Sequence, residues 1–521
     1  MKLKFKYFGK IHATLVILSL VFLARIGSAE TWFTNEVWIS PIAQTNGGNG
    51  TLDYPYDGST QAKFDAVMGS LLANTTIHLL SGTYQTWGSS TSGGYLLKSG
   101  QTVFGSGIGN TILQLAPNAP GNGTFVDVIA SVDSFCSNNI VSDVTLDCNF
   151  NAQTIIANGV VLYGSHQAVR NVKVINSGTP GNEAFGIVVN GGGWGNTNAS
   201  GGNFIEGCEV SGFAGGHNIS AIVFSSDTQI SGIIRNNRVF LAPDLIGGQI
   251  AINGANLNNV LIEGNYVNGA RNGFYDDSGG NANVIVVHNT FKNCLDEVFV
   301  RNVVGQNLTF AFNTFMLATN TAYSPSVFQF YANASYTNIT ICGNNVQLNN
   351  KPAGLSYFVI ANNVTGLMIN NNTVDSALTN QFIGCTLTSV YNNYDLYGNF
   401  LTNLNQVASP NGVTRKTVTY TGTTIYTNYA SYADKYIGVK GVSVTNGTIH
   451  AVSIVLPSAV GHAGKDFIVA DETGSLQGPN IKFIKIETTA PDKINGGTSI
   501  TNTTPYTAMT IISDGANWFA H

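Results

Sequence analysis

Between Arg271 and Arg301 the chain gathers the side chains that acid–base or ionic chemistry needs. The stretch reads Arg271-Asn-Gly-Phe-Tyr275-Asp276-Asp277, then Ser-Gly-Gly, an apolar run to His288-Asn289, and Asp296-Glu297-Val-Phe-Val-Arg301. Only 10% of all residues are charged, against roughly 25% in ordinary globular proteins. This window nevertheless holds two arginines, a lysine, three aspartates and a glutamate. From Asn302 to Thr414 the only charges are Lys351, Asp375 and Asp395.

Two reactions fit that inventory. Hydrolysis of a glycosidic bond needs one protonated and one ionised carboxyl flanking it. Asp277 with Glu297, or Asp276 with Asp296, are the available pairs. Lyase chemistry needs a base for the proton α to a uronate carboxyl and a cation to neutralise that carboxyl. Arg271, Arg301, Tyr275 or Lys351 could serve, with Asp276, Asp277 and Asp296 as calcium ligands. A purely structural role is the third reading: Asp277 and Arg301 one coil apart would be a surface ion pair worth about 0–1 kcal/mol.

The elements that must position these groups follow from a repeat. Asn259 to Val267 reads NVLIEGNYV, Asn283 to Phe291 NVIVVHNTF, Asn307 to Phe315 NLTFAFNTF, Asn338 to Val346 NITICGNNV and Gly366 to Val374 GLMINNNTV. The shared frame is an alternating strand, an Asn, one residue, then Val or Phe. The Asn positions are 237, 265, 289, 313, 344, 372 and 399, with Cys208, Val172 and Val144 in the earlier slots. Nine intervals separate Val144 from Asn399, a period of about 28 residues, which signals a solenoid. Three short parallel strands per turn fit that length at roughly 3.3 Å per residue. The recurrent Asn is expected at a turn, tolerating a left-handed backbone and bonding the next Asn one coil away.

This frame resembles the right-handed parallel β-helix of the pectin lyase-like superfamily, asparagine ladder included, over roughly residues 75–413. The resemblance implies an all-β fold and a polysaccharide partner, but not one activity, because such folds host many chemistries. Polygalacturonase-like relatives carry Asn-Thr-Asp, Asp-Asp, Gly-His-Gly and Arg-x-Lys in that order. Here Asp276-Asp277 matches the second motif alone. Gly216-His217-Asn218 precedes it and lacks the last Gly, and no Arg-x-Lys follows.

Counting back from the ladder, Asn253, Asp277 and Arg301 each precede their Asn by twelve residues and are expected to stack. With Ile250 and Ile252 facing inward, the outward rows become Gln249/Ala251/Asn253, Gly273/Tyr275/Asp277 and Glu297/Phe299/Arg301, continued by Gln329 and Tyr331. Asp276 then falls on the inward row. An outward surface of this kind fits a saccharide groove, with Arg271, Asp296, His217, Asp244 and Lys351 on its rim.

The flanks differ. Residues 1–29 read as a secretory signal peptide: four lysines, an apolar run Ala13–Ala24, then Gly27-Ser28-Ala29. Its five basic residues take the formal charge from −5 to −5 − 5 = −10 on cleavage. An acidic, secreted or cell-surface protein is expected, with no nucleic-acid partner and no membrane span after cleavage. Residues 30–80 read as an N-terminal cap whose helix buries Phe64, Val67, Met68, Leu71 and Leu72. The β-helix occupies 81–413. Residues 414–521 form a small β domain with strands near 416–426, 451–456, 465–470, 481–486 and 509–512. Leu456–Lys465 and Ser513–Trp518 resemble a module at the C-termini of phage tail-fibre-like and secreted repeat proteins, which implies capping, attachment or homo-oligomerisation. The six cysteines lack zinc spacing and are expected in the core; export would permit disulfides, and Cys136–Cys148 is the one pair to test.

Overall fold

The computed structural model describes residues 35–520 apart from 90–92, 179–182, 193–198, 214–218, 242–248, 301–303, 318–325, 331–334, 349–355, 384, 392, 394–413, 421–424, 431–433, 442–449, 461–465, 472–480, 489–490 and 515; the side chains of 277–278, 295–300, 356, 382–383, 386–391, 414–420, 425–429, 434–435, 440–441, 450–451 and 481–482 also lie outside the description. Residues 1–29, where a signal peptide is expected, and His217, Asp244, Arg301, Tyr331, Lys351 and Asn399 therefore fall outside it. No helix among the described residues is long and apolar enough to cross a membrane.

A single parallel sheet of 31 strands runs, among the described residues, from Asn35–Ser40 to Thr386–Tyr391. Each strand pairs with one a coil further on, so the sheet winds as a right-handed parallel β-helix. One face carries Leu257–Glu263, Gly280–Val287, Val304–Ala311 and Ser335–Cys342 in succession. Another carries Ile156–Tyr163, Ala184–Asn190, Ile219–Ser225 and Gln249–Ala255. Short strands such as Thr314–Leu317 and Asn345–Leu348 form the third. The inward side chains make one continuous apolar core, from Val37 to Cys385.

The asparagine ladder holds the coils in register. Nδ2 of Asn265 donates to Oδ1 of Asn289 at 2.8 Å, and the backbone N–H of Asn265 donates to the same oxygen at 2.9 Å. The pattern repeats from Asn237 through Asn265, Asn289, Asn313, Asn344 and Asn372, and its last described rung is Asn393. The spacing between rungs varies from 21 to 31 residues. The ladder asparagines are not left-handed. The residue before each one is: Asn236, Gly264, His288, Phe312, Gly343 and Asn371 all have φ between 55° and 66°. The corner needs that conformation one position earlier than expected, and it leaves the ladder amide pointing inward. His288 is one of these corner residues, stacked on Phe312 at 5.6 Å.

A second ladder was hidden in the repeat's first letter. Asn259, Asn283, Asn307 and Asn338 are left-handed too, and their exposed amides chain from coil to coil at 2.9–3.2 Å. Charges form columns as well. Arg170, Glu206, Arg235 and Glu263 alternate in sign on successive coils, with Arg235 Nε 2.7 Å from Glu206 Oε1. Lys173, Glu209 and Arg238 do the same.

The cap helix spans Gln61–Ser70, with Thr60 accepting from the Lys63 N–H at 3.4 Å. Phe64 and Met68 enter the core, whereas Leu72 lies past the helix end and is 71% exposed. Asp65 is buried and ties the helix to the first coils, accepting from Thr86 Oγ1 at 2.5 Å and Trp87 N–H at 2.9 Å.

After residue 413 the chain builds two other sheets around a separate core. The strand expected over 416–426 is two strands, Thr414–Tyr420 and Ile425–Tyr429, which enter different sheets. Trp518 is fully buried in this core, its indole N–H donating to the Pro457 carbonyl at 3.1 Å. All six cysteines are free thiols, so Cys136 and Cys148 are not bridged. Cys148 instead packs in the core against the Ser177 hydroxyl at 3.1 Å.

Candidate functional site

The charge-rich window occupies two long strands, Tyr266–Ser278 and Thr290–Val300, which each turn a corner of the coil. Their register differs from the twelve-residue count. Asn253 pairs with Tyr275, not Asp277, and Tyr275 pairs with Phe299. Phe299 pairs with Gln329, Gln329 with Ile360, and Ile360 with Gln381. Two extra residues account for the difference: one lies between Ser278 and Ala282, where four steps stand against three from Ala255 to Asn258, and the other is a bulge. Gly254 pairs with Asp276 and Ala255 with Ser278, which leaves Asp277 as the extra residue. Bulges of this kind re-aim a side chain and bend the strand.

The inward rows also shift. Ala251 and Ile252 are both fully buried, while Ile250 is half-buried. The pairing passes from Ile250↔Asn272 to Ile252↔Phe274, so Ala251 and Gly273 share a bend within the strand. Gly159, Gly186 and Ala221 mark the same bend in earlier coils, each skipped by the pairing on its strand. At Gly159 an added Cβ would lie 2.3 Å from the Gly186 carbonyl, so a side chain there has no room.

The expected site residues divide accordingly. Tyr275 is half-exposed, in register with Asn253 on one side and, through Phe299, with Gln329 on the other. Gln329 Oε1 accepts from Ser326 Oγ at 3.1 Å. Arg271 is half-exposed on the same strand. Asp276 is 2% exposed and therefore faces the interior, as its inward row requires. Asp277, Asp296 and Glu297 are placed by backbone only. Asp296 pairs with Asn272, four residues before Asp276. Four residues of strand span about 13 Å. Glu297, next to Asp296, and Asp277, next to Asp276, are separated along the strands by the same four residues. Backbone register therefore offsets the two members of each pair by four residues along neighbouring strands. No cluster of three metal-binding side chains occurs among the described residues.

The same face holds a feature the sequence reading missed. Upstream of Asn253, its outward column is apolar: Ala130, Val161, Val188 and Val223 pack together outside the main core with Leu96, Tyr163 and Phe185. At its border Asp127 is 5% exposed and accepts from Asn158 Nδ2 at 2.9 Å. Burial pushes the Asp127 carboxyl up to about 6, the Asn158 bond offsetting part of the effect. Burial also raises the Tyr163 phenol, and the Asp127 charge adds to it. An aspartate in a Phe-Val-Asp-Val strand was the available signal.

No protein family fits the sequence and no characterised protein matches it. Among solved structures the chain is similar to a tailspike protein of E. coli bacteriophage HK620 solved with a pentasaccharide. The identity is 12% and the TM-score 0.47, over 82% of this chain and 76% of the tailspike. It is also similar to the DFA-IIIase of Arthrobacter chlorophenolicus in complex with GF2, at 12% identity and TM-score 0.42, over 73% of this chain and 93% of that one. Both likenesses concern the fold alone.

Proposed function

We propose that this is an exported polysaccharide-active protein that holds a glycan along the outward face centred on Tyr275. The observation that carries the reading is the row Asn253–Tyr275–Phe299–Gln329, which sets the half-exposed Tyr275 one coil from the Asn253 position and two coils from Gln329. An aromatic ring packs on the CH face of a sugar while neighbouring amides bond its hydroxyls. Arg271, the bulged Asp277, Asp296, Glu297, Arg301, Tyr331 and His217 furnish the rim. Residues 1–29 direct export, and residues 414–521 attach or assemble the chain at the cell surface.

The test is retention on a panel of neutral, uronic and sulfated polysaccharides in affinity electrophoresis, with reducing ends and unsaturated uronates followed in parallel. Tyr275→Ala is expected to weaken retention about tenfold, the equivalent of about 1.4 kcal/mol. Wild-type retention by the Tyr275→Ala and Gln329→Ala variants would refute the placement. Product formation by the wild type that Asp277→Ala abolishes would replace binding with catalysis.

A further inference from the structure

A different face of the β-helix carries an array that the Tyr275 site does not use. The strands Gly280–Val287, Val304–Ala311, Ser335–Cys342, Val364–Asn370 and Thr386–Tyr391 contain no acidic residue, basic residue or histidine. Their outward positions form straight columns. Ala282, Gln306, Thr337 and Thr365 make one, and Ile285, Thr309, Thr340 and Met368 another. Between them runs the outer amide ladder of Asn283, Asn307 and Asn338. Gln306, Thr337, Thr365 and the three asparagines are exposed, while Ile285, Thr309, Thr340 and Met368 are half-buried.

Neighbouring side chains in such a column stand about 4.8 Å apart. The amide chain fixes the asparagines in advance, so ordering them against a ligand costs little entropy. A flat row of hydroxyls, amides and methyls at that repeat suits a ligand that repeats likewise, and an extended β-linked pyranose chain advances by nearly the same distance per sugar. A uronic or sulfated chain would meet no cation on these strands and would lose hydration without a partner.

We propose that this face is a second glycan-binding surface, for an ordered neutral polysaccharide lying along the helix axis. It stands on a different sheet face from Tyr275, and the two can fail separately.

The probes are microcrystalline cellulose and chitin in a pull-down with the full mature chain, with polygalacturonate as competitor. The wild type is expected to be retained on both solids in the presence of excess polygalacturonate. A Gln306→Glu/Thr337→Glu/Thr365→Glu variant is expected to lose at least roughly tenfold in partition, because ionised carboxylates must be desolvated against the sugar. The single Thr337→Lys variant stacks no like charges and serves if the triple variant misfolds by circular dichroism. It is expected to weaken retention several-fold. No retention of the wild type on either solid, wild-type retention of the folded variants, or equal competition by polygalacturonate would each overturn the proposal.

Discussion

Replacing Asn289 with alanine tests whether the inner ladder holds the coils together. The Asn289 amide accepts from the Asn265 backbone N–H at 2.9 Å and from Asn265 Nδ2 at 2.8 Å. It donates to the Ile262 carbonyl at 2.9 Å and to Asn313 Oδ1 at 3.0 Å. Asn313 Oδ1 would keep the Asn289 backbone N–H, and Asn265 Nδ2 would keep the Ile234 carbonyl. What is orphaned is one backbone N–H, one amide N–H and the Ile262 carbonyl, all at a rung that is 1% exposed. At about 1–3 kcal/mol for each unsatisfied buried group, the loss is about 3–6 kcal/mol after partial relaxation. The outer ladder gives the control. Asn307→Ala removes exposed bonds that water replaces and strains one left-handed residue, for about 1–2 kcal/mol. Urea unfolding of the two variants, read by far-ultraviolet circular dichroism, compares them directly. Asn289→Ala within 1 kcal/mol of Asn307→Ala would refute the argument that buried satisfaction is what the ladder supplies.

Two further outcomes follow from buried titratable groups. The Asp127 carboxyl is raised to about 6 in the folded chain against 3.8. A carboxyl raised in this way supports folding fully below the unfolded value, and that support is lost as pH rises through the folded one. Stability should therefore fall between about pH 4 and 6, by at most about 3 kcal/mol from this group. Asp127→Asn, which can still accept from Asn158, should flatten that part of the urea-midpoint profile; an unchanged profile would exclude Asp127 as its source. The thiols give the other test. Burial pushes Cys148 and Cys208 up to about 12, and no cysteine is bridged. Six thiols should titrate in denaturant without reductant, with Cys148 and Cys208 unreactive in the native chain, and a count of four would reveal a disulfide.

Sequence reached the coil but not its corners. The alternating strands and the ladder asparagines were legible because burying one apolar row per strand and satisfying one amide per turn leave a periodic mark. Asn259, Asn283, Asn307 and Asn338 were visible as the first letters of repeats. Their left-handed backbone was not, since Asn at a turn and Asn in an alternating strand look alike in sequence. The site register failed for a definite reason. Counting from Asn265 and Asn289 assumed equal arms of the coil, whereas Asn253 and Tyr275 stand 12 and 14 residues before their rungs, with Asp277 bulged out of the pairing. The bend at Ala251 and Gly273 broke the inward–outward alternation as well. Asp127 was passed over because an isolated acid in an apolar strand has no motif; only its burial beside Asn158 gives it meaning.

The uneven spacing of the ladder has a consequence for how such a chain can change. Rungs are joined by 21, 24, 28 or 31 residues, yet each pair of amides meets at 2.8–3.1 Å. Height along the axis is thus decoupled from contour length around it. Segments can lengthen or shorten between rungs, reshaping the rim above Tyr275, without moving the coils beneath. An insertion between two rungs is a local event, whereas one inside a rung strand shifts every residue after it to the opposite side of the sheet. Variation in what the surface grips can therefore accumulate one coil at a time.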